Sequence, residues 1–367
     1  MKNYHWELFR YSLRLIRPLV ILGEEFRIRN GLILRLNELT QGSFEDTIFG
    51  EGEIAPFPRL HPESLVEAET QILDYLSGNN NFNLYSKNLF SSVRFGLDMA
   101  IRTSAKKLHE SISQKNLLNL KSNQKKIIDI NGLIIDTSST LESECENLQK
   151  EGYKTIKMKV GRKSLKEDIK RVRKVRKILG NDISLRLDAN RSWKWKDALF
   201  FSHAVKEYNI QYCEEPLIDP KDIEKLYHET EIPFALDETL WENPNPKVLP
   251  KIGIKALILK PGIFGTWKNI KFWSDFSEKN GMDLVLSSSF ESGLGLNWIA
   301  FMANKILKKR TALGLDTSKY FKNDLIEPPF KIINGGYTLK DSWPKASEKY
   351  LQKIAEGKTK IELLADD

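Results

Sequence analysis

Cysteine is scarce in this sequence of 367 residues. Only Cys145 and Cys213 occur. Two cysteines cannot supply the disulfide framework that stabilises many small secreted proteins, and the ligand spacings typical of zinc sites are absent. This cysteine usage indicates a reducing compartment, so we predict a cytoplasmic location.

Long apolar runs are also missing. No window holds the roughly 18 uninterrupted apolar residues that a helix needs to cross a membrane. The first residues, MKNYHWELFRYSLRLIRPLVIL, lack the apolar core and the small-residue cleavage site of a secretory signal. We therefore expect no membrane span and no secretory leader.

Basic residues outnumber acidic ones, and the formal net charge is +8. The densest basic run, residues 163–180, carries apolar side chains at helical spacing, which predicts an amphipathic helix whose lysines and arginines face solvent. No familiar nucleic-acid-binding motif is present. We expect no nucleic-acid partner, and the basic balance suits an anionic small-molecule substrate.

A regular alternation of strand-like and helix-like runs begins near residue 127. It predicts right-handed βαβ units and a parallel sheet. The number of units favours an α/β fold with a closed (β/α)8-type barrel over an open doubly wound sheet, and no G-x-G-x-x-G follows the first strand, as a dinucleotide-binding fold would require. The eight predicted strands lie within residues 127–135, 155–161, 183–190, 210–216, 233–238, 256–262, 283–289 and 311–316.

The region before residue 127 mixes strand-like and helix-like pieces. Residues 31–39 indicate a strand, and residues 50–62 indicate a loop punctuated by glycine and proline. Apolar spacing predicts helices over residues 63–76 and 88–108. This part of the chain is therefore expected to be α+β.

Acidic residues end three consecutive predicted strands. Asp188, Glu214 and Asp237 are thus expected to be neighbours around the C-terminal mouth of a barrel, where barrel enzymes hold their active sites. Three adjacent carboxylates repel one another unless positive charge lies among them. All-oxygen ligation with positions open for substrate favours Mg²⁺ over Ca²⁺, with Mn²⁺ able to substitute.

Basic residues lie on the same inward faces. Lys159 and Lys260 end the second and sixth predicted strands, on opposite sides of an eight-stranded ring, and Lys157 and Arg186 lie one layer deeper. A lysine close to other cations has a lowered pKa and can act as a base. The set therefore suits proton abstraction next to a metal-bound carboxylate. The alternative is that the acids serve only in salt bridges with these basic residues.

Five motifs resemble those of the enolase superfamily. They are IKMKVG, RLDAN, EEP, LDE and LKPG. The resemblance implies that Asp188, Glu214 and Asp237 bind Mg²⁺ and that Lys159 is the acid/base. It also implies three units: an N-terminal α+β capping domain over residues 1–125, a modified TIM barrel over 126–320, and a C-terminal segment over 321–367 that returns to the cap.

Within that superfamily, the segments GEIAPFP, LRLDANRSW, CEEPL, ALDETL, SSSFESGLGL and LGLDT are similar to the o-succinylbenzoate synthase family. The similarity implies a lyase that dehydrates 2-succinyl-6-hydroxy-2,4-cyclohexadiene-1-carboxylate to 2-succinylbenzoate in menaquinone or phylloquinone biosynthesis. Lys159 would remove the α-proton and protonate the departing hydroxyl, and Lys260 would stabilise the enediolate. The expected supporting residues are Lys157, Arg186, Asn190, Ser288, Ser289 and Gly314, the last three either holding the succinyl carboxylate through backbone N–H groups or serving only in turns.

Other reactions on the same scaffold stay open. N-acylamino acid racemisation, dipeptide epimerisation and muconate cycloisomerisation all use such a site, and facing Lys159 and Lys260 would allow a two-base racemase. The last strand offers only Asp316, where dipeptide epimerases typically carry Asp-x-Asp. A protein that binds an anion or a partner without catalysis is a further alternative, which the complete set of two lysines and three acids disfavours.

Overall fold

The computed structural model describes residues 2–21, 23–39, 49–78, 83–105, 127–134, 140–340 and 342–361. These residues form a four-stranded antiparallel sheet, a seven-stranded parallel sheet and a two-stranded sheet. None of the helices in these residues is long and apolar enough to span a membrane.

The antiparallel sheet belongs to the N-terminal cap. Its strands β1 (Lys2–Ile21), β2 (Glu24–Glu38) and β3 (Phe49–Ile54) are adjacent in that order, and the C-terminal strand Leu351–Ile361 pairs with the other edge of β1. The helices α1 (Leu65–Leu76) and α2 (Ser91–Ser104) share an apolar core with this sheet. The end of the chain thus completes the sheet that its beginning starts.

The predicted strand over 31–39 and the two predicted helices are confirmed by β2, α1 and α2, although residues 106–108 lie outside the described residues. The predicted loop over 50–62 is wrong at its start, because residues 50–54 belong to β3. A Cβ atom at Gly52 would lie 1.7 Å from the carbonyl oxygen of Gly96 in α2. Glycine is therefore present for close packing of strand on helix, and not for a turn.

The parallel sheet follows the cap. After β4 (Ile127–Asp129), its strands are β5 (Gly132–Ile134), β6 (Thr155–Lys159), β7 (Ser184–Asp188), β8 (Ile210–Glu214), β9 (Phe234–Leu236), β10 (Ile254–Leu259) and β11 (Asp283–Leu286), adjacent in chain order. The helices are α3 (Leu141–Lys150), α4 (Leu165–Leu179), α5 (Trp195–Val205), α6 (Ile223–Thr230), α7 (Glu238–Glu242), α8 (Pro261–Phe264), α9 (Trp267–Lys279) and α10 (Gly293–Ile306). β12 (Gly336–Thr338) pairs with β4, and β13 is the C-terminal strand Leu351–Ile361.

The eighth predicted strand is reduced to two bridges that join the edges of this sheet. Leu313 bridges Ile130, and Gly314 bridges Ser287. Arg186 donates a side-chain hydrogen bond to the carbonyl oxygen of Ala312, in place of a longer backbone ladder. The sheet nevertheless closes, and the predicted fold class, a (β/α)8-type barrel with an α+β cap, is confirmed. The predicted boundaries at residues 125/126 and 320/321 stay predictions.

Successive strand residues point alternately into the barrel and toward the helices. Tyr212, Ala235, Ala256, Ile258 and Val285 form a separate apolar cluster, which fills the barrel interior. The residues predicted to face the helices join the main core instead: Ile156, Met158, Leu187, Leu236, Leu257 and Leu259. The same alternation directs the side chains at the strand ends into the mouth of the barrel.

The basic run 163–180 forms α4 as predicted, but two of its arginines do not face solvent. Arg171 and Arg176 are buried. Arg171 pairs with Asp168 at 2.9 Å, and Arg176 donates to the carbonyl oxygen of Tyr208 at 2.8 Å. The prediction of a fully solvated basic face is wrong at these positions, because the two guanidinium groups bind Asp168 of the same helix and the backbone that follows α5.

A buried carboxylate joins the cap to the barrel. Glu53 of β3 accepts hydrogen bonds from the backbone N–H and the hydroxyl of Ser292 at 2.9 and 2.7 Å, and from the N–H of Gly295 at 2.9 Å. Tyr11 of β1 donates to the same carboxylate at 2.5 Å. These N–H groups belong to the first turn of α10, where unsatisfied donors and the helix dipole favour an anion.

Replacing Glu53 with Gln tests this anchor. The amide carries no charge and turns N–H groups toward the helix donors, so we expect the free energy of unfolding to fall by about 1–3 kcal/mol in urea titrations. Glu69→Gln is the control, because that carboxylate pairs with the exposed Arg10 and a surface ion pair contributes about 0–1 kcal/mol. Equal losses in the two variants would contradict the anchoring role.

Candidate active site

Charged side chains from neighbouring strands meet at the C-terminal mouth of the barrel. Lys159 pairs in register with Asp188, and Asp188 with Glu214. Asp237 and Lys260 directly follow β9 and β10. The three acids are buried, with exposed fractions of 2%, 1% and 5%. Burial of three carboxylates is costly unless each has a partner.

Two lysines supply these partners. The Nζ atom of Lys157 lies 2.9 Å from Oδ2 of Asp188 and 2.8 Å from both carboxylate oxygens of Glu214. Lys260 contacts both carboxylate oxygens of Asp237. The described residues accordingly contain no group of three acids, histidines or cysteines already spaced to hold one metal ion. The acids are neighbours, as predicted, but they are held in salt bridges.

Burial and neighbouring charge act differently on two of the acids. Burial, together with the charges of Asp188 and Asp237, raises the pKa of Glu214 to about 8. Burial also acts to raise the pKa of Asp188, but Lys157 and Lys159 outweigh it and hold that pKa below its ordinary value. Asp188 is therefore the firmly ionised carboxylate of the pair, and Glu214 is the one that binds a proton most readily.

Lys159 is the lysine of the mouth that loses its proton most easily. Burial lowers its pKa, and the positive charges of Lys157 and Arg162 add to that effect, whereas Asp188 opposes it. Its Nζ atom donates to Oδ1 of Asn190 at 2.7 Å and lies 3.7 Å from Oδ2 of Asp188. A neutral amide is thus its nearest partner, and this keeps the amine available as a base.

The pKa of Lys260 shifts in the opposite direction to that of Lys159. Burial acts to lower its pKa, but the charges of Asp237 and Glu238 outweigh burial and raise it. Lys260 therefore remains a cation over the range in which Lys159 begins to deprotonate. The two lysines differ because Lys260 contacts a carboxylate directly, whereas Lys159 contacts an amide.

Comparison with known proteins agrees with this geometry. Residues 140–343 match the enolase C-terminal domain-like family, and residues 2–104 match the MenC N-terminal domain. The chain is 31% identical to o-succinylbenzoate synthase of Pectobacterium atrosepticum, over 87% of this chain and 92% of that protein. The chain belongs to the o-succinylbenzoate synthase family of the enolase superfamily.

Members outside the bacterial synthases are also similar. The chain is 29% identical to the Arabidopsis thaliana protein PHYLLO, chloroplastic, over 90% of this chain and 22% of that much longer protein. The structure of a dipeptide epimerase from Cytophaga hutchinsonii, complexed with Mg and the dipeptide D-Ala-L-Val, has a TM-score of 0.70 at 22% identity. It covers 96% of this chain and 99% of its own, and it shows that the superfamily fold is shared.

Arg186 does not join the acids of this superfamily site. Its guanidinium donates to Oε1 of Gln211 at 2.8 Å, to Oδ1 of Asn131 at 3.1 Å and to the carbonyl oxygen of Ala312 at 2.8 Å. It also lies over the ring of Tyr212, 5.1 Å from the centroid. Arg186, predicted as a supporting residue of the site, thus contacts none of the three acids, because its donors are used to close the barrel below them.

The predicted carboxylate-binding amides are used within the fold as well. The N–H of Ser288 donates to the carbonyl oxygen of Gly314 at 3.0 Å, and the N–H of Gly314 donates to Leu286 at 2.9 Å. The N–H of Ser289 and the hydroxyl of Ser288 donate to Glu291 at 2.7 Å each. These groups serve turn and strand bonding within the protein, and their role in holding a succinyl carboxylate stays a prediction.

Asn190 links Lys159 to a carboxylate that the sequence analysis did not single out. Its Nδ2 donates to Oε1 of Glu238 at 3.1 Å, and its backbone N–H donates to Oδ1 of Asp188 at 3.1 Å. Burial and the charge of Asp237 raise the pKa of Glu238 to about 7. In the sequence, the one signal that could have pointed to Glu238 was its position directly after Asp237 in the motif LDE.

Glu215, the second acid of EEP, is a further residue that sequence reasoning missed. Its Oε1 accepts hydrogen bonds from the backbone N–H groups of Asp237 and Thr239, both at 2.8 Å, and its Oε2 lies 3.1 Å from Arg191. This carboxylate therefore fixes the turn that presents Asp237 to the mouth.

The raised pKa of Glu214 predicts that stability of the metal-free protein falls as pH rises. This carboxyl ionises near its ordinary pKa in the unfolded chain, so between about pH 5 and 8 the folded state holds the extra proton and loses stability by up to about 1.4 kcal/mol per pH unit. Urea unfolding of the wild type and Glu214→Gln over this range measures the slope. We expect the variant to lack this contribution, and identical slopes would contradict the assignment.

Proposed function

We propose that this chain is an o-succinylbenzoate synthase, which dehydrates 2-succinyl-6-hydroxy-2,4-cyclohexadiene-1-carboxylate to 2-succinylbenzoate in menaquinone or phylloquinone biosynthesis. The observation that carries this proposal is the contrast between Lys159 and Lys260, one amide-bonded and one carboxylate-bonded, at a single barrel mouth. Similarity to a bacterial synthase over 92% of that protein's length supports the same substrate.

Lys159 is the proposed acid/base. Its lowered pKa increases the neutral fraction near neutral pH, which a general base requires. The neutral amine takes the proton from the carbon beside the substrate carboxylate, and the electrons of the C–H bond pass into an enediolate. The resulting ammonium group then gives a proton to the departing hydroxyl as the C–O bond breaks. Water leaves, and Lys159 returns to its neutral form.

Lys260 is the proposed electrostatic partner. Its raised pKa keeps it protonated, so it can stabilise the enediolate by charge without exchanging a proton. This asymmetry favours one-base dehydration over two-base racemisation, because a racemase needs each lysine to be neutral in turn. N-acylamino acid racemase and dipeptide epimerase activities are therefore less well supported, and Asp316 is already paired with Lys319. Muconate cycloisomerisation inverts no stereocentre and needs no second base, so it remains the alternative that this contrast does not test.

Asp188, Glu214 and Asp237 are the residues that would hold Mg²⁺, with Mn²⁺ able to replace it. The donor chemistry fits, since three buried carboxylates on adjacent strands supply the oxygen ligands that hard divalent cations prefer. Lys157 and Lys260 would have to yield their present contacts with these acids. Bound there, the ion would offset the negative charge that develops on the substrate carboxylate.

The cellular location, the type of partner and the domain division are also part of the proposal. A cytoplasmic location is supported by the scarcity of cysteine, and the absence of a nucleic-acid-binding motif supports a small anionic substrate as the partner. The division into a cap, a barrel and a returning C-terminal segment is supported by the pairing of β13 with β1.

Lys159→Ala removes the proposed base. We expect dehydration to fall by at least about 10²–10⁴-fold, and exchange of the α-proton with solvent deuterium to cease. Product absorbance and proton NMR in D₂O measure the two effects. Lys163→Ala is the control, because that lysine pairs with Glu167 on the outer helix α4. Dehydration at the wild-type rate in Lys159→Ala would refute the assignment.

Metal removal tests the proposed role of the acids. We expect EDTA to abolish dehydration and added Mg²⁺ to restore it. Binding to the folded state alone should also stabilise the protein by about 2.7 kcal/mol at a hundredfold excess over the dissociation constant. Thermal unfolding with and without Mg²⁺ provides this second measurement, and Asp188→Asn should lose most of the shift. Full activity in EDTA would contradict the proposal.

A further inference from the structure

The short helix α8 follows Lys260 directly. The carbonyl oxygen of Lys260 accepts hydrogen bonds from the N–H groups of Ile263 and Phe264 at 2.8 and 3.1 Å, and these bonds begin the helix. The helix has only four residues and ends at Gly265, where φ is +87°. A helix of this length is not stable by itself. The position of Lys260 therefore depends on what packs against α8.

The cap contacts the chain on both sides of α8. His61 lies between β3 and α1, and its Nε2 atom is 3.2 Å from the carbonyl oxygen of Gly262. Beyond α8, Asp98 of α2 accepts a hydrogen bond from the backbone N–H of Trp267 at 2.7 Å. Both cap side chains are buried. The segment that begins with Lys260 is thus fastened to the cap at two points, and Gly262 is the nearer one.

The two partners of His61 fix the protonation state of its ring. The Nδ1 atom accepts a hydrogen bond from the N–H of Phe57 at 3.0 Å, so the proton of the neutral ring lies on Nε2. Because the carbonyl oxygen of Gly262 can only accept, Nε2 donates to it. Burial lowers the pKa of His61, which agrees with a neutral ring. The N–H groups of Leu60 and His61 also bind the carbonyl oxygen of Phe57, so a closed turn holds the ring in place.

Two barrel side chains pack closely against Gly262. A Cβ atom at this position would lie 2.7 Å from Oε1 of Glu291 and 3.2 Å from Oγ of Ser289. Among the described residues, neither of these buried oxygens has a hydrogen-bond partner. They therefore limit the movement of Gly262 by contact on one side, whereas the hydrogen bond from His61 fixes its carbonyl group.

We propose that His61 is a positioning residue for Lys260, and that it acts through its hydrogen bond to the Gly262 carbonyl group. This inference rests on the proposed function, which gives Lys260 the role of a fixed cation beside the enediolate. A charge stabilises a transition state when it is positioned in advance, and a misplacement of about 1 Å can cost 10²-fold in rate. The cap thereby contributes to the chemical step by setting the position of a charge in the barrel.

Two substitutions of His61 separate the hydrogen bonds of its ring. In His61→Asn, the amide lies near the position of Nδ1 and can accept from Phe57, but it is too short to reach Gly262. In His61→Gln, an amide N–H lies near the position of Nε2 and can donate to Gly262, but the acceptor for Phe57 is lost. We expect kcat to fall by about 10- to 100-fold in His61→Asn with little change in KM, and to stay near the wild-type value in His61→Gln.

Tyr337→Phe is the control, because it removes one buried hydrogen bond, to Asn297 at 2.7 Å, between β12 and α10. All three variants should unfold at lower urea concentration than the wild type. If His61 serves stability alone, kcat well below the unfolding midpoints will be the same in all three, and that result overturns the proposal. Equal losses of kcat in the two His61 variants overturn it as well. Should His61→Asn fail to fold, Gly262→Ala displaces the same turn from the barrel side, and a wild-type kcat there has the same consequence.

A readout without turnover separates this inference from the proposed function. The sequence contains two Gly-Ile pairs, at 253–254 and 262–263. Labelling with [1-¹³C]glycine and [¹⁵N]isoleucine selects these pairs in an HNCO spectrum. The second pair joins the carbonyl that His61 binds to the N–H that binds the Lys260 carbonyl.

We expect the signal of the 262–263 pair to move in His61→Asn and to lie near its wild-type position in His61→Gln, while the signal of the 253–254 pair is constant. An unmoved 262–263 signal in His61→Asn overturns the positioning role, even where the wild type dehydrates its substrate. A wild-type protein that forms no 2-succinylbenzoate overturns the proposed function, and the 262–263 signal then decides by itself whether His61 holds the turn of Lys260.

Discussion

The site depends on the compensation of buried charge at one end of the barrel. Lys157 contacts Asp188 and Glu214 together, and Lys260 contacts Asp237, so each acid has an ammonium partner. Without these partners, three buried carboxylates would repel one another and lose the solvation that water gives them. The same charges that a divalent cation would neutralise are thus balanced by lysines in the metal-free fold. Under the proposed function, a divalent cation bound by these acids would replace the ammonium groups of Lys157 and Lys260 as their direct partners.

The same charge compensation makes the pKa values of Lys159 and Lys260 shift in opposite directions. Lys159 lies two residues beyond Lys157 on β6, and its Nζ atom contacts the Asn190 amide, whereas that of Lys157 contacts Asp188 and Glu214. Its nearest carboxylate oxygen, on Asp188, lies 3.7 Å away and burial lowers its pKa, so Lys159 deprotonates more easily than Lys260, which its contact with Asp237 keeps charged. Under the proposed function, these different neighbours make Lys159 the base and Lys260 the fixed cation. Racemisation would require the pair to be interchangeable, and the surroundings of the two lysines make them unequal.

Two-residue alternation was enough to predict which strand residues enter the mouth, because an inward side chain at a strand end has nowhere else to go. It could not predict where a long side chain turns once it is inside. Arg186 shares its face with Asp188, yet its guanidinium reaches Asn131 and Ala312, which lie far away in sequence. The use of backbone N–H groups near Ser288 was equally hidden, since it depends on closure of the barrel by Gly314. At β3, contact with α2 overrode the local turn tendency of glycine, which no local pattern reveals.

The cap is joined to the barrel by hydrogen bonds from two of its charged residues. Glu53 of the cap completes the N-terminus of α10, and Arg29 of β2 donates to the carbonyl oxygens of Pro56 and Phe290, each at 2.9 Å. The Glu53 contacts are buried and the contact of Arg29 with Phe290 is partly buried, so sliding of the cap would leave several polar groups without partners at once. The cap therefore cannot shift by small steps without breaking several hydrogen bonds at once. Both cap residues attach to the same short region, the loop after β11 and the first turn of α10, so this region fixes the position of the cap on the barrel.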